Sequence, residues 1–159
     1  MMRIAFAANK DIPGIAALMA ASLLLRRYDV TARGARASLT EALRAGDVLL
    51  VARDGNVIVG FAWSIATRAL DRAAYLRLLL VNEDRRSHGV GAALLARTER
   101  AARAAGSRHM VLLVTATNRR ARAFYARQGY DHIGHLPGFV RPGIAESLYV
   151  KRLRTVKSP

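Results

Sequence analysis

A chain of 159 residues in which 52% are hydrophobic is long enough, and apolar enough, for one packed domain, and its composition argues against disorder. The formal net charge of +15 comes from 26 basic residues, all arginine except Lys10, Lys151 and Lys157; this arginine- and alanine-heavy make-up reads first as a compositional bias spread over tolerant surfaces, and otherwise as attraction for a polyanionic cofactor, an acidic substrate or nucleic acid, but the aromatic interleaving of a single-strand-binding platform is missing, so no specific nucleic-acid partner is expected. The absence of cysteine excludes a disulfide framework, a thiol nucleophile and a thiolate metal site, and no metal is expected. No apolar run reaches the length of a membrane span, and Asn9, Lys10 and Asp11 interrupt the apolar N-terminus before it could serve as a leader, so the expectation is a cytoplasmic protein without a membrane partner.

Met2 to Ala7 reads as a first strand. Asp11-Ile12-Pro13 starts a helix with an acidic cap and an early proline. Ile15, Leu18, Met19, Ser22 and Leu23 recur at spacings of three and four, which predicts one core-facing helix running to about Arg26–Tyr28. Thr31 to Leu43 predicts a second helix. Asp47 to Arg53 and Asn56 to Thr67, joined by Asp54-Gly55, predict a hairpin. Tyr75 to Val81 is the next strand, followed by a glycine-bearing turn and a helix from about Gly89 to Ala105, with Gly106 after it. His109 to Thr115 is another strand. Asn118 caps a helix that carries Tyr125 and closes at Gly129, and Tyr130 to Leu136 and Glu146 to Leu153 are the last strands; residues 154–159 read as a frayed tail.

No repeat or linker splits the chain, so a single domain over residues 1–159 is expected. The order βααβββαβαββ predicts an α/β fold with a mixed central sheet and helices on both faces. A helical crossover between Tyr75–Val81 and His109–Thr115 makes those two strands parallel neighbours.

The most informative stretch is Arg86-Ser87-His88-Gly89-Val90-Gly91-Ala92, between a strand and a helix start. There the first N–H groups of the helix lack partners and sit at the positive end of the helix dipole, which makes a phosphate cradle. Gly89 and Gly91 let the backbone approach a pyrophosphate, and Arg85 and Arg86 add charge-assisted donors at the rim. There is no Gly-x-x-x-x-Gly-Lys-Ser/Thr loop and no Gly-x-Gly-x-x-Gly, which excludes the common nucleotide motifs.

The Arg-x-x-Gly-x-Gly that remains resembles the acetyl-CoA signature of the GNAT superfamily of acyl-CoA N-acyltransferases, Arg/Gln-x-x-Gly-x-Gly/Ala. Downstream, Asn118 to Tyr130 resembles that family's Asn-x-x-Ala-x-x-Phe-Tyr-x-x-x-Gly-Phe/Tyr segment. The resemblance implies acetyl-CoA as co-substrate, lying with its pantetheine arm where the two parallel strands splay apart. Leu79 and Val81 would offer main-chain groups to the pantetheine amides, and Arg86, Ser87, His88, Gly89, Val90, Gly91 and Ala92 would surround the pyrophosphate. Asn118 would cap its helix and touch the cofactor arm. Arg119, Arg120 and Arg122 either reach the 3′-phosphate or form a solvated basic face. His88 reads as a solvent-side filler rather than a base.

Direct transfer from a thioester to an amine needs a neutral amine, donors for the developing charge and a proton for the departing thiolate. The resemblance assigns that proton to Tyr125, whose other reading is a helix tyrosine in the core. The chain departs from the family pattern at Arg77, where many members carry a catalytic Glu; arginine is no base at neutral pH. Water and backbone carbonyls could carry the proton instead, or another carboxylate: Glu83, Asp84 or Glu146, with Glu146 the foremost candidate and an edge-strand surface charge its alternative. Arg77 shares strand parity with Tyr75, and would either bind an anionic group on the acceptor or pack its stem on the sheet beside an internal acid.

The function implied is acetyl-CoA-dependent N-acetylation of a primary amine, a small molecule before a protein N-terminus or lysine. The competing class is a non-catalytic CoA-sensing or nucleic-acid-binding module on the same fold. Proteins of this fold often pair through their last strands, which allows a homodimer.

Overall fold

The computed structural model describes residues Met1–Arg154. Seven strands, β1 (Met2–Phe6), β2 (Val48–Asp54), β3 (Val57–Ala66), β4 (Ala74–Val81), β5 (His109–Thr115), β6 (Asp131–Pro137) and β7 (Ala145–Arg152), form one sheet in the order β1-β2-β3-β4-β5-β7-β6. The β4/β5 pair is parallel, and β1/β2, β2/β3, β5/β7 and β6/β7 are antiparallel, so the sheet is mixed as the crossover requires. The helices are α1 (Ile12–Ala21), α2 (Leu23–Arg26), α3 (Ala32–Ala45), α4 (Val90–Ala104) and α5 (Arg119–Arg127).

One element differs from the sequence expectation. The first helix breaks at Ser22, whose ψ is 120° and whose hydroxyl accepts the Leu25 N–H at 3.3 Å, so a separate four-residue α2 begins there. Serine offers the backbone this local alternative to a continued helix, and apolar periodicity, which runs through the break, does not register it. The expected tail lies, beyond Arg154, outside the described residues.

The chain gathers into two compact units. The first holds Met1–Ile65 and Leu78–Thr98. Along β2, Leu49 and Val51 join Ile12, Ile15 and Met19 of α1, Leu39 of α3, and Phe61 and Trp63 of β3. Leu50 and Ala52 point the other way, into a cluster with Val59, Ala62, and Val90 and Leu94 of α4. The period of two therefore delivers apolar residues to both faces, and helices cover both. Each fully buried leucine contributes about 1.5–3 kcal/mol. Gly60 sits where backbone and helix crowd the sheet: a Cβ there would come 3.0 Å from the Leu80 carbonyl and 3.1 Å from the Leu94 side chain. That close approach fixes the end of β4 against the start of α4.

The second unit holds Ala66–Arg77 and the chain from Glu99 onward. Its axis is β5, whose Met110, Leu112 and Val114 are buried while Val111 and Leu113 are half-buried. Strand β7 lies between β5 and β6, with Glu146 opposite Thr115 on one side and Leu136 on the other. The rings of Tyr125, Tyr130 and Tyr149 pack together, with centroids 5.6 and 6.4 Å from Tyr125. Beside them Glu99 of α4, 6% exposed, accepts the Tyr130 hydroxyl at 2.9 Å and the Lys151 ammonium at 3.0 Å on both oxygens. A buried carboxylate is tolerated only when paired in this way.

Candidate functional site

After β4 the chain makes a single helical turn, Glu83–Arg85, started by Asn82, whose side-chain oxygen accepts the Asp84 N–H at 3.1 Å. Arg86 is extended, Ser87 takes φ 66° and Gly89 φ 78°. A Cβ at Gly89 would meet nothing within 4 Å, so glycine is needed there for its backbone angle, and the space beside it is open. Ala93 donates to the Gly89 carbonyl at 3.0 Å. The N–H groups of Val90, Gly91 and Ala92 precede this ladder, have no acceptor within the helix, and lie at its positive end. Open space beside unclaimed donors fits a phosphate group.

The side chains around the turn brace it. His88 Nδ1 is 2.8 Å from the Arg86 carbonyl; a carbonyl only accepts, so Nδ1 carries the proton and the imidazole is occupied with the turn. Arg86 Nη1 lies 3.7 Å from Glu83. Arg85, expected at the phosphate rim, donates instead to Asp54 at 2.6 Å; this bond and the Arg85 charge, with the N-terminal ammonium, hold the Asp54 carboxyl below the usual carboxylate range. The Leu79 and Val81 side chains pack on the cluster of Val90 and Leu94, which leaves their main chain as the part that could serve a ligand. Glu83 and Asp84 are exposed at this turn.

In the second unit Asn118 caps α5 as expected, its Oδ1 accepting the Ala121 N–H at 3.1 Å. Arg119 and Arg120 are exposed on the first turn of α5. Arg122 is not part of that solvated face: its Nε donates to the Tyr149 hydroxyl at 3.1 Å and its Nη1 to the Ala116 carbonyl at 3.2 Å, which ties α5 to β7. Tyr125 is 8% exposed, and its ring meets Phe124 edge-on at 5.1 Å. Burial drives its phenol pKa well above the ordinary tyrosine value, so the hydroxyl keeps its proton. No residue among those described hydrogen-bonds that hydroxyl, yet no fully enclosed side-chain polar atom lacks a partner; the hydroxyl therefore retains contact with solvent.

Glu146 is 3% exposed and interior to the sheet, which overturns its reading as an edge-strand surface charge. Ladder partners share a face, so Tyr75, which pairs with Val111, lies on the face of Val111, Leu113 and Thr115, and hence of Glu146. Tyr75 is half-buried, and burial raises its pKa; the Arg77 charge opposes that rise and the Glu146 charge adds to it, so both charges act on one phenol. Local pattern assigns Tyr75 no role beyond its strand, because nothing in β4 says which later strand brings a carboxylate onto its face. The Glu99–Tyr130–Lys151 group was likewise hidden, its ion pair spanning 52 residues.

A family model for the acetyltransferase (GNAT) family matches residues 19–130, a span that holds both the turn at Gly89 and the Asn118–Tyr130 segment. The chain belongs to the GNAT family. GNAT acetyltransferases use acetyl-CoA. Among solved structures the chain resembles an N-acetyltransferase from Staphylococcus aureus Mu50 (19% identity, TM-score 0.81, covering 97% of this chain and 99% of that one). It also resembles a ribosomal-protein-alanine N-acetyltransferase from Brucella melitensis (22%, 0.80, 95% and 99%). A third likeness is to a Salmonella typhimurium protein solved with its cofactor acetyl-CoA (20%, 0.77, 99% and 97%). At these identities the likeness is one of fold. No curated protein matches the GNAT chain by sequence. Among the described residues no helix is long and apolar enough to cross a membrane.

Proposed function

We propose that the chain is one N-acetyltransferase domain that moves an acetyl group from acetyl-CoA directly to the primary amine of a small molecule. The observation that carries this reading is the turn at Gly89, where open space adjoins the unclaimed N–H groups of Val90, Gly91 and Ala92. These donors would hold the pyrophosphate, with the Arg86 guanidinium beside them. Bound acetyl-CoA supplies an acetyl group activated as a thioester. The acceptor nitrogen forms the new C–N bond as the C–S bond breaks; one proton leaves the nitrogen and one reaches the sulfur. Tyr125 is suited to deliver the second, since its phenol is neutral, buried and, among the described residues, not held by a hydrogen bond. Glu146 supplies the carboxylate that β4 lacks, and would receive the amine proton directly or through water. With no cysteine in the chain, a cysteinyl intermediate is excluded.

Thiol release from acetyl-CoA over a panel of amines tests the reaction, and a matched pair of variants tests the site. Asn and Asp both tolerate positive φ, so Gly89→Asn and Gly89→Asp should keep the turn alike. Asp alone sets a negative charge in the phosphate space. Calorimetry should then show CoA affinity falling at least tenfold further in Gly89→Asp than in Gly89→Asn, at matched melting temperatures. Equal affinities would remove CoA from this turn.

A further inference from the structure

Arg77 and Glu146 present opposite charges to the same half-buried phenol, Tyr75, from two strands of the second unit. Their spacing follows from the register. Arg77 is one residue past Leu76, the partner of Leu112, while Glu146 is the partner of Thr115 across β5. Two strand spacings sideways and two residues along the sheet put their Cα atoms at least about 12 Å apart, since Arg77 lies one residue beyond the last β4/β5 pair. A guanidinium on its long stem, a carboxylate on a short one and a small zwitterion between them bridge that distance. The surface between the two charges carries Leu113, and Leu136 and Leu148 lie on the same face around Glu146, all three half-buried.

We infer that this face reads an α-amino acid as the acetyl acceptor, with Glu146 taking its ammonium, Arg77 its carboxylate and the leucines an apolar side chain. The inference rests on the acetyltransfer reading and narrows it. Arg77 is exposed and Glu146 is buried, so the carboxylate end of the acceptor meets the side chain nearer solvent and the amine is drawn to the interior one. A guanidinium has five N–H donors, so interactions within the chain do not exhaust it. The same charge at Arg77 repels polyamines, and a neutral amide of the same amino acid forgoes the ion pair.

The test compares leucine, methionine and phenylalanine, each against its own amide, with spermidine as the polycation, in steady-state thiol release at saturating acetyl-CoA. Rates are taken as pH-independent kcat/KM, because the amide amine is less basic. At least one acid should exceed its amide and spermidine by tenfold or more. Arg77→Gln should bring that acid down to its amide's level, chiefly through KM, since the ion pair is the same in ground and transition states. An amide or spermidine that matches the best acid, or an acid preference that survives Arg77→Gln, would overturn the inference while leaving acetyltransfer standing. Should no amine release thiol, the reaction reading falls, and calorimetry of the CoA-saturated protein decides this one. Tighter binding of an acid than its amide, lost in Arg77→Gln, supports the reader; equal binding or none sinks it.

Discussion

Tyr125 is the residue on which packing and chemistry pull in opposite directions. Ring contacts with Phe124, Tyr130 and Tyr149 explain its burial without any function. A purely structural tyrosine, however, usually satisfies its hydroxyl inside the protein, and this one does not among the described residues. Tyr125→Phe keeps every ring contact and removes only the hydroxyl, so melting temperature should hold while kcat falls by roughly 10²–10⁴-fold. A kcat within threefold of wild type would return Tyr125 to the core. The sign of its pH dependence is fixed by burial. Its folded pKa lies above the ordinary 10.0, so the neutral phenol is intact below pH 10, and stability is lost progressively as pH rises from there through the folded value. Any alkaline loss of activity that sets in below pH 10 must therefore have another source.

At the scale of elements, the Glu99–Tyr130–Lys151 group joins the second half of α4 to β7, and its loss should be felt as stability rather than turnover. Lys151→Met would leave the Glu99 carboxylate buried with the Tyr130 hydroxyl as its remaining partner. Breaking a buried pair costs about 3–5 kcal/mol, and the 28% exposure of the Lys151 side chain argues for the lower end or somewhat below it. Urea unfolding should show about 2–3 kcal/mol, with part recovered by adding Glu99→Gln; less than about 0.5 kcal/mol would rank the pair with ordinary surface bridges. This contact also marks where sequence reading stops. Strands, helices and the glycine turn after β4 were legible because each is encoded within a dozen residues: the apolar run of β2, the cap at Asn118, the glycine at a turn position with positive φ. The break at Ser22, the inward turn of Arg122 and the burial of Glu146 were not. The first is a local competition for one N–H, and the other two depend on which strand comes to lie beside which, a fact no local pattern carries.

For the whole molecule, charge poses the remaining question. Eleven acidic residues can neutralise the charge of at most eleven of the 26 basic ones, so a net charge of +15 remains uncompensated within the chain whatever the fold. The structure places exposed arginines on several elements: Arg33, Arg36 and Arg44 on α3, Arg97 and Arg100 on α4, Arg119, Arg120 and Arg127 on α5. No single helix carries them, and aromatic rings are not interleaved with them, so the arrangement offers neither a stacking platform nor one recognition element for a groove. Such a surface draws any polyanion through counterion release, without reading sequence. DNA and RNA of unrelated sequences should thus bind weakly and equally, with log affinity falling linearly in log salt and little binding left near 0.2 M. The same long-range attraction would speed the encounter with CoA, so the CoA on-rate should fall with salt more steeply than its off-rate changes. Filter binding across salt concentrations checks the first expectation. If one nucleic-acid sequence is held at least a hundredfold tighter than others at 0.15 M salt, the charge is a recognition surface, and the non-catalytic nucleic-acid reading gains what the diffuse one loses.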